Sequence, residues 1–168
     1  KPEGPLRSDG YYIGFVVASV WPLDGGVRWS GGGGSMKFNN GSMVGFLLGR
    51  DFGIIHVEVE HDAIHYDQES GGGSAGIHPT TFRAIIEKEL SRSLDLRTGI
   101  GAGVNLAKLD YGGKQFGGVS FCYDFLAGLG VRLNNTLALN FDYRYFLTAA
   151  SDDYKRLQSH LLTAQLQF

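Results

Sequence analysis

An all-β fold, a closed antiparallel eight-stranded up-and-down barrel, is what the sequence predicts, and three observations predict it. Apolar and polar residues alternate with period two through most of the chain. The alternating segments run to about ten residues or slightly more, against about five or six for an ordinary globular strand. The connections between them alternate between tight turns and longer stretches. A length of 168 residues suits one domain, 1–168, with 1–10 as a polar, proline-bearing tail.

Each strand is read from its two faces. Residues 11–21 set Ile13, Phe15 and Val17 against Gly14, Val16 and Ala18. Residues 43–49 set Val44, Phe46 and Leu48 against Gly45, Leu47 and Gly49. Residues 54–66 oppose Ile55, Val57 and Val59 to His56, Glu58, Glu60 and Asp62. Residues 81–90 separate Phe82, Ala84 and Ile86 from Arg83, Glu87 and Glu89. Residues 96–109 place Leu96, Ile100, Ala102, Val104 and Leu106 opposite Arg97, Gly99, Gly101, Gly103 and Asn105. In 119–133 the apolar face holds Val119, Phe121, Tyr123 and Phe125, and the other holds Ser120, Cys122, Asp124 and Arg132. The clearest case is 137–145, where Leu137, Leu139, Phe141, Tyr143 and Tyr145 oppose Ala138, Asn140, Asp142 and Arg144. Residues 158–168 close the series, with Leu162, Ala164, Leu166 and Phe168 against Leu161, Thr163, Gln165 and Gln167. A helix would mix every one of these paired sets.

Residues 50–53, 91–95 and 134–136 read as tight turns, while 23–41, 67–80 and 149–156 read as longer loops and 111–117 as an intermediate one. Two of the loops contain Ser30-Gly31-Gly32-Gly33-Gly34-Ser35 and Ser70-Gly71-Gly72-Gly73-Ser74, which have flexible-linker composition. The simplest reading is replacement of native loops by designed linkers; natural glycine-rich loops are the alternative.

Composition excludes several classes. With 15 Lys+Arg against 17 Asp+Glu, the chain lacks the basic excess of a nucleic-acid binder. One cysteine, Cys122, permits no intrachain disulfide. The mean hydropathy of -0.08 resembles a soluble protein, and no apolar run reaches the roughly 18 residues of a spanning helix. The strand length instead matches the about 9–11 residues a tilted strand needs to cross a bilayer. Short turns at one end and longer loops at the other have the same meaning. The apolar phase carries rings near strand ends, such as Tyr11, Trp21, Tyr143 and Tyr145, and is assigned to lipid; glycines and both signs of charge are assigned to the narrow interior. A soluble barrel with the faces exchanged is the competing arrangement.

The segment Leu161-Leu162-Thr163-Ala164-Gln165-Leu166-Gln167-Phe168 resembles the C-terminal signal of bacterial outer-membrane proteins. With Asn140-Phe141-Asp142-Tyr143-Arg144-Tyr145-Phe146, it resembles the small eight-stranded surface barrels of the OmpA/OmpX and opacity-protein type. The resemblance implies a bacterial outer-membrane location, a periplasmic tail over 1–10, and contacts with outer-membrane lipids and lipopolysaccharide. It also implies that the barrel-assembly machinery reads Leu162, Ala164, Leu166 and Phe168.

The inward phase supplies His56, Glu58, Glu60, Arg83, Glu87, Arg97, Asp124, Arg132, Asp142 and Arg144, an expected ion-pair network filling the lumen. With Asp62 and Glu89 of the same phase counted, acids outnumber bases there. A metal site at His56, Glu58 and Glu60, or a narrow ion path, is the functional counterpart. Ser159 and His160 are adjacent and so point to opposite faces, which rules out a nucleophile–base pair between them. His61, His65 and His78 are placed near the outer rim or in the second loop. Gly99, Gly101 and Gly103 lie within a strand with no helix after them, unlike a dinucleotide fingerprint. The expected role is a non-enzymatic barrel displaying surface loops for adhesion, ligand contact or envelope integrity, without cofactor or metal. A lipid-A-modifying enzyme and a narrow pore are the alternatives.

Overall fold

A sheet leaves unpaired backbone groups at its two edges unless it closes on itself, and this chain closes. The computed structural model describes residues 10–70 and 72–168. The strands are β1 (Gly10–Pro22), β2 (Gly25–Trp29), β3 (Gly32–Met36), β4 (Gly41–Asp51) and β5 (Ile55–Asp67), then β6 (Ser74–Ser91), β7 (Leu94–Tyr111), β8 (Lys114–Arg132), β9 (Ala138–Thr148) and β10 (Gln158–Gln167). Eight of them form an antiparallel barrel in the order β1-β10-β9-β8-β7-β6-β5-β4, while β2 and β3 pair as a separate hairpin. Of the tail expected over 1–10, only Gly10 falls among the described residues, and it opens β1.

The strands are staggered. A path of registered partners leaves β1 at Gly10, passes Asp51, His56, Ile85, Gly99, Leu126, Arg144 and Leu161, and returns to β1 at Val20. Such a shift is what tilts the strands of a small barrel and narrows its interior to the width of packed side chains.

The tight turns fall where the sequence places them. The longer connections are more ordered than their composition suggests. The stretch 67–80 is mostly strand, since β6 begins at Ser74. Pro79 lies inside it; the β5–β6 register is interrupted there, between the His61–Thr80 and Ile64–Ile77 pairs, where the missing proline N–H has no ladder bond to make. The stretch 111–117 reduces to a two-residue turn at Gly112-Gly113, both at positive φ, between the paired Tyr111 and Lys114. That is the turn whose twist suits a hairpin. The glycine-rich stretch 30–35 does not behave as a linker: its residues 32–35 belong to β3 and pair with β2. Gly71 of the second such stretch lies outside the described residues.

Outward, the barrel exposes Ile13, Phe15, Val44, Phe46, Val59, Phe82, Ile100, Phe121 and Phe141. Inward, it buries Glu58, Glu60, Arg83, Arg97, Asp142 and Arg144. A soluble barrel has the opposite assignment. An apolar exterior this continuous is stable only against hydrocarbon.

Candidate functional site

Two interior regions follow one another along the barrel axis. The half nearest the tight turns is ionic. Arg83 donates from Nε and Nη2 to the two oxygens of Asp124, at 3.0 and 2.6 Å, and reaches Glu60 at 3.0 Å. Arg144 also forks onto Glu60, through a close contact from Nη1 and a 3.3 Å bond from Nη2. Arg97 approaches Glu87 at 3.1 Å and Asp142 at 3.7 Å. Arg132 pairs with Asp95 and lies 3.6 Å from Glu87. Glu58 accepts from Tyr12 at 2.9 Å and Gln165 at 3.3 Å, with Arg83 at 3.6 Å. Charge-assisted forks of this kind offset the large cost of removing each ion from water.

Glycine makes this network possible. Tyr12, Gly49 and Glu58 are consecutive partners across three strands, as are Arg83, Gly101 and Asp124, and Arg97, Gly128 and Asp142. Side chains two strands apart are separated by about 10 Å of backbone. In each trio the outer two meet over the middle residue. A Cβ at Gly49 would strike the Tyr12 ring, one at Gly101 the Asp124 carboxylate, and one at Gly128 that of Asp142. These three glycines are gaps through which the Arg83–Asp124 and Arg97–Asp142 ion pairs and the Tyr12–Glu58 hydrogen bond form.

The ten lumenal residues named from the sequence all face the interior and contact one another in this network. His56 does not join Glu58 and Glu60 in a ligand set. Its Nε2 lies 3.2 Å from both Asp51 and Glu87, while Glu58 and Glu60 are taken by arginines, and no group of three or more His, Cys, Asp and Glu among the described residues could hold a metal ion. Glu89, assigned inward, is exposed at the irregular end of β6. Tyr12, Asp51, Asp95 and Gln165 were not singled out, although each shares the inward phase of its strand. A 140 Å³ cavity at this end is lined by Asp51, His56, Glu87, Asp95 and Arg132.

The outer half of the lumen departs from expectation: it is apolar. Val16, Val20, Met43, Ile64, Ile77, Leu109, Cys122, Phe146 and Leu161 form a buried core there. Val27 of β2, Met36 of β3, Tyr154 and Leu157 complete it from the loops. The loops are also tied by backbone: Arg28 N donates to Asp153 O and Lys155 N to Gly26 O, each at 2.8 Å, flanking the Val27–Tyr154 bridge. Trp29 stacks on Tyr111 with centroids 6.4 Å apart, and Phe38 meets Tyr66 edge-on at 4.7 Å. The result is a cap joined to the barrel by packing. An open cleft on it is lined by Asp24, Arg28, Lys155 and Arg156.

The remaining histidines face outward. His61 Nδ1 is 2.8 Å from the Thr80 hydroxyl, well along β5 rather than at the rim. His160 Nδ1 is 2.6 Å from the Tyr143 hydroxyl, while Ser159 is buried. His78 lies within β6, not in a loop.

No family model matches the chain, and no curated protein matches it. Solved structures do. Neisserial surface protein A superposes with a TM-score of 0.71 at 18% identity, over 94% of this chain and 96% of that one. OprG from Pseudomonas aeruginosa gives 0.65 at 12% identity, over 98% and 99%. Ail, the attachment invasion locus protein of Yersinia pestis, gives 0.53 at 17%, over 96% and 100%. These are likenesses of fold, and the fold agrees with an exterior that only hydrocarbon can cover. The chain has the architecture of a small eight-stranded outer-membrane β-barrel.

Proposed function

We propose that this chain is a non-enzymatic protein of the bacterial outer membrane, an anchor that presents its capped loops at the cell surface for adhesion, ligand contact or envelope integrity. The observation that carries the reading is the cap. Loop residues Val27, Met36 and Tyr154 are buried in the barrel's own core, so the loops form a rigid platform, and the lumen beneath them is filled rather than open. Loops held by a scaffold are where binding specificity usually resides. A filled outer half disfavours conduction. The engagement of His160 by Tyr143 and the inward position of Ser159 disfavour hydrolysis at that pair.

In this reading the barrel-assembly machinery recognises the outward residues Leu162, Ala164, Leu166 and Phe168 of the closing strand, and lipopolysaccharide surrounds the loop end. The display is checked with Ser30→Cys at the hairpin tip. Cys122 is buried, so the new thiol is the reachable one. A membrane-impermeant maleimide should label it on intact cells. Labelling only after the envelope is broken would reverse the orientation and sink the reading.

A further inference from the structure

One ion pair at the tight-turn end of the lumen is only half made. Arg83 meets Asp124 through a fork of two bonds, at 3.0 and 2.6 Å, so both oxygens of that carboxylate are engaged. Arg132 meets Asp95 differently. Its Nη2 makes the one close contact, to Oδ2, and lies 3.6 Å from Glu87. Asp95 Oδ1 and Arg132 Nη1 are buried and make no hydrogen bond among the described residues. The two side chains are 2% and 9% exposed. A bare oxygen on one ion and a bare nitrogen on its partner, both shielded from bulk water, cost free energy unless another group meets them.

Both residues line the 140 Å³ cavity at this end of the barrel, and the register explains why a cavity is there. Asp95, Gly130 and Asn140 are consecutive partners across β7, β8 and β9. Arg132, Ala138 and Gln167 are consecutive partners across β8, β9 and β10. In each trio a small residue stands between two polar ones. A Cβ at Gly130 would lie 2.8 Å from Asn140 Oδ1, and Asn140 Nδ2 in turn donates to Gln167 Oε1 at 3.2 Å. Asp51 and Glu87 also line the cavity, but they are held by His56 and Arg97.

Size and charge together select the guest. An engineered cavity of about 150 Å³ holds benzene, so this one suits about six heavy atoms. Its polar lining disfavours a hydrocarbon guest. A lone cation would meet Asp95 and leave Arg132 bare, and a lone anion would do the reverse. A molecule with an N–H cation and a carboxylate a few bonds apart meets both.

We infer that this cavity binds a small zwitterion, a free amino acid of about the size of alanine, with its ammonium on Asp95 Oδ1 and its carboxylate on Arg132 Nη1. The inference goes beyond the display reading, because the cap closes the opposite end of the lumen.

The test uses the whole isotope-labelled chain folded in uncharged detergent, with backbone amide shifts followed by NMR. Alanine at millimolar concentration should move signals from 10–12, 134–140 and 167–168 in a saturable way. Alaninamide, which lacks the carboxylate, and N-acetylalanine, which lacks the ammonium, should each bind about tenfold more weakly, the effect of one charge-assisted hydrogen bond. Asp95→Asn and Arg132→Gln should each weaken alanine by a similar factor. Ala138→Leu, which puts bulk into the cavity, should abolish the shifts. Absence of saturable shifts with alanine would overturn the site. Equal binding of alanine and either half-charged analogue would reduce it to a site for one charge and overturn the zwitterion. Each variant is first shown to retain heat-modifiable gel mobility; where a charge variant does not, Ala138→Leu and the two analogues decide, and alanine binding to Ala138→Leu at wild-type strength would place the guest elsewhere.

Discussion

Arg83 is fully buried and holds two carboxylates at once, Asp124 through a two-bond fork from Nε and Nη2, and Glu60 through Nη1 at 3.0 Å and a shared bond from Nη2 at 3.2 Å. Arg83→Ala removes one cation and leaves two buried anions short of a partner. Breaking such a set costs about 3–5 kcal/mol, far more than any exposed pair contributes. Urea unfolding of the barrel in lipid vesicles should report a loss of that order; a loss below about 1 kcal/mol would mean that water enters the lumen and screens the network. At this scale the sequence was informative about residue type and side. The period-two phase placed Glu58, Glu60, Arg83, Arg97 and Asp142 inward because alternation is a local property of an extended backbone. It could not pair Arg83 with Asp124, because the two lie on strands separated by β7 and meet only through the gap at Gly101.

Among the elements, the β2–β3 hairpin was the hardest to read. Four consecutive glycines carry no alternation, so 30–35 reads as a linker. What makes it a strand is pairing with β2 and close packing: a Cβ on Gly34 would lie 2.7 Å from the Tyr111 ring. Gly34→Val should therefore lift the hairpin from the barrel while leaving β1 and β4–β10 intact, since overpacking at such a contact costs about 1–3 kcal/mol. Amide exchange across 25–36 should quicken at least tenfold, with the barrel strands unchanged. Unchanged exchange would show that the hairpin is held by the backbone bonds to Asp153 and Lys155 rather than by this packing. The early start of β6 has a similar cause. Pro79, which has no N–H to donate, is accommodated at a gap in the β5–β6 pairing.

For the whole molecule, closure is the decisive property. The seam joins β1 to β10 over Gly14–Gln167 to Pro22–Ser159, and Phe168 extends it with two backbone bonds to Ile13, at 2.9 and 3.1 Å. A sheet closed in this way has no free edge for detergent to attack. The unheated chain should migrate differently from the boiled chain on detergent gels. Removing Phe168 should lower both the folded fraction recovered in membranes and the temperature at which the two bands merge. Identical migration with and without boiling would contradict a closed barrel, and full recovery of the shortened chain would show that Phe168 is dispensable to the seam and to assembly.

Side-chain period and turn chemistry act over a few residues, so the eight strands of the barrel, their two faces and the turn at each tight end were legible in the chain before folding. Tertiary structure alone decided which inward residues touch. It also decided that the outer half of the lumen is apolar and that loop residues from 23–41 and 149–157 fill it. These depend on stagger and closure, which bring together residues far apart in the chain, and no local pattern encodes them.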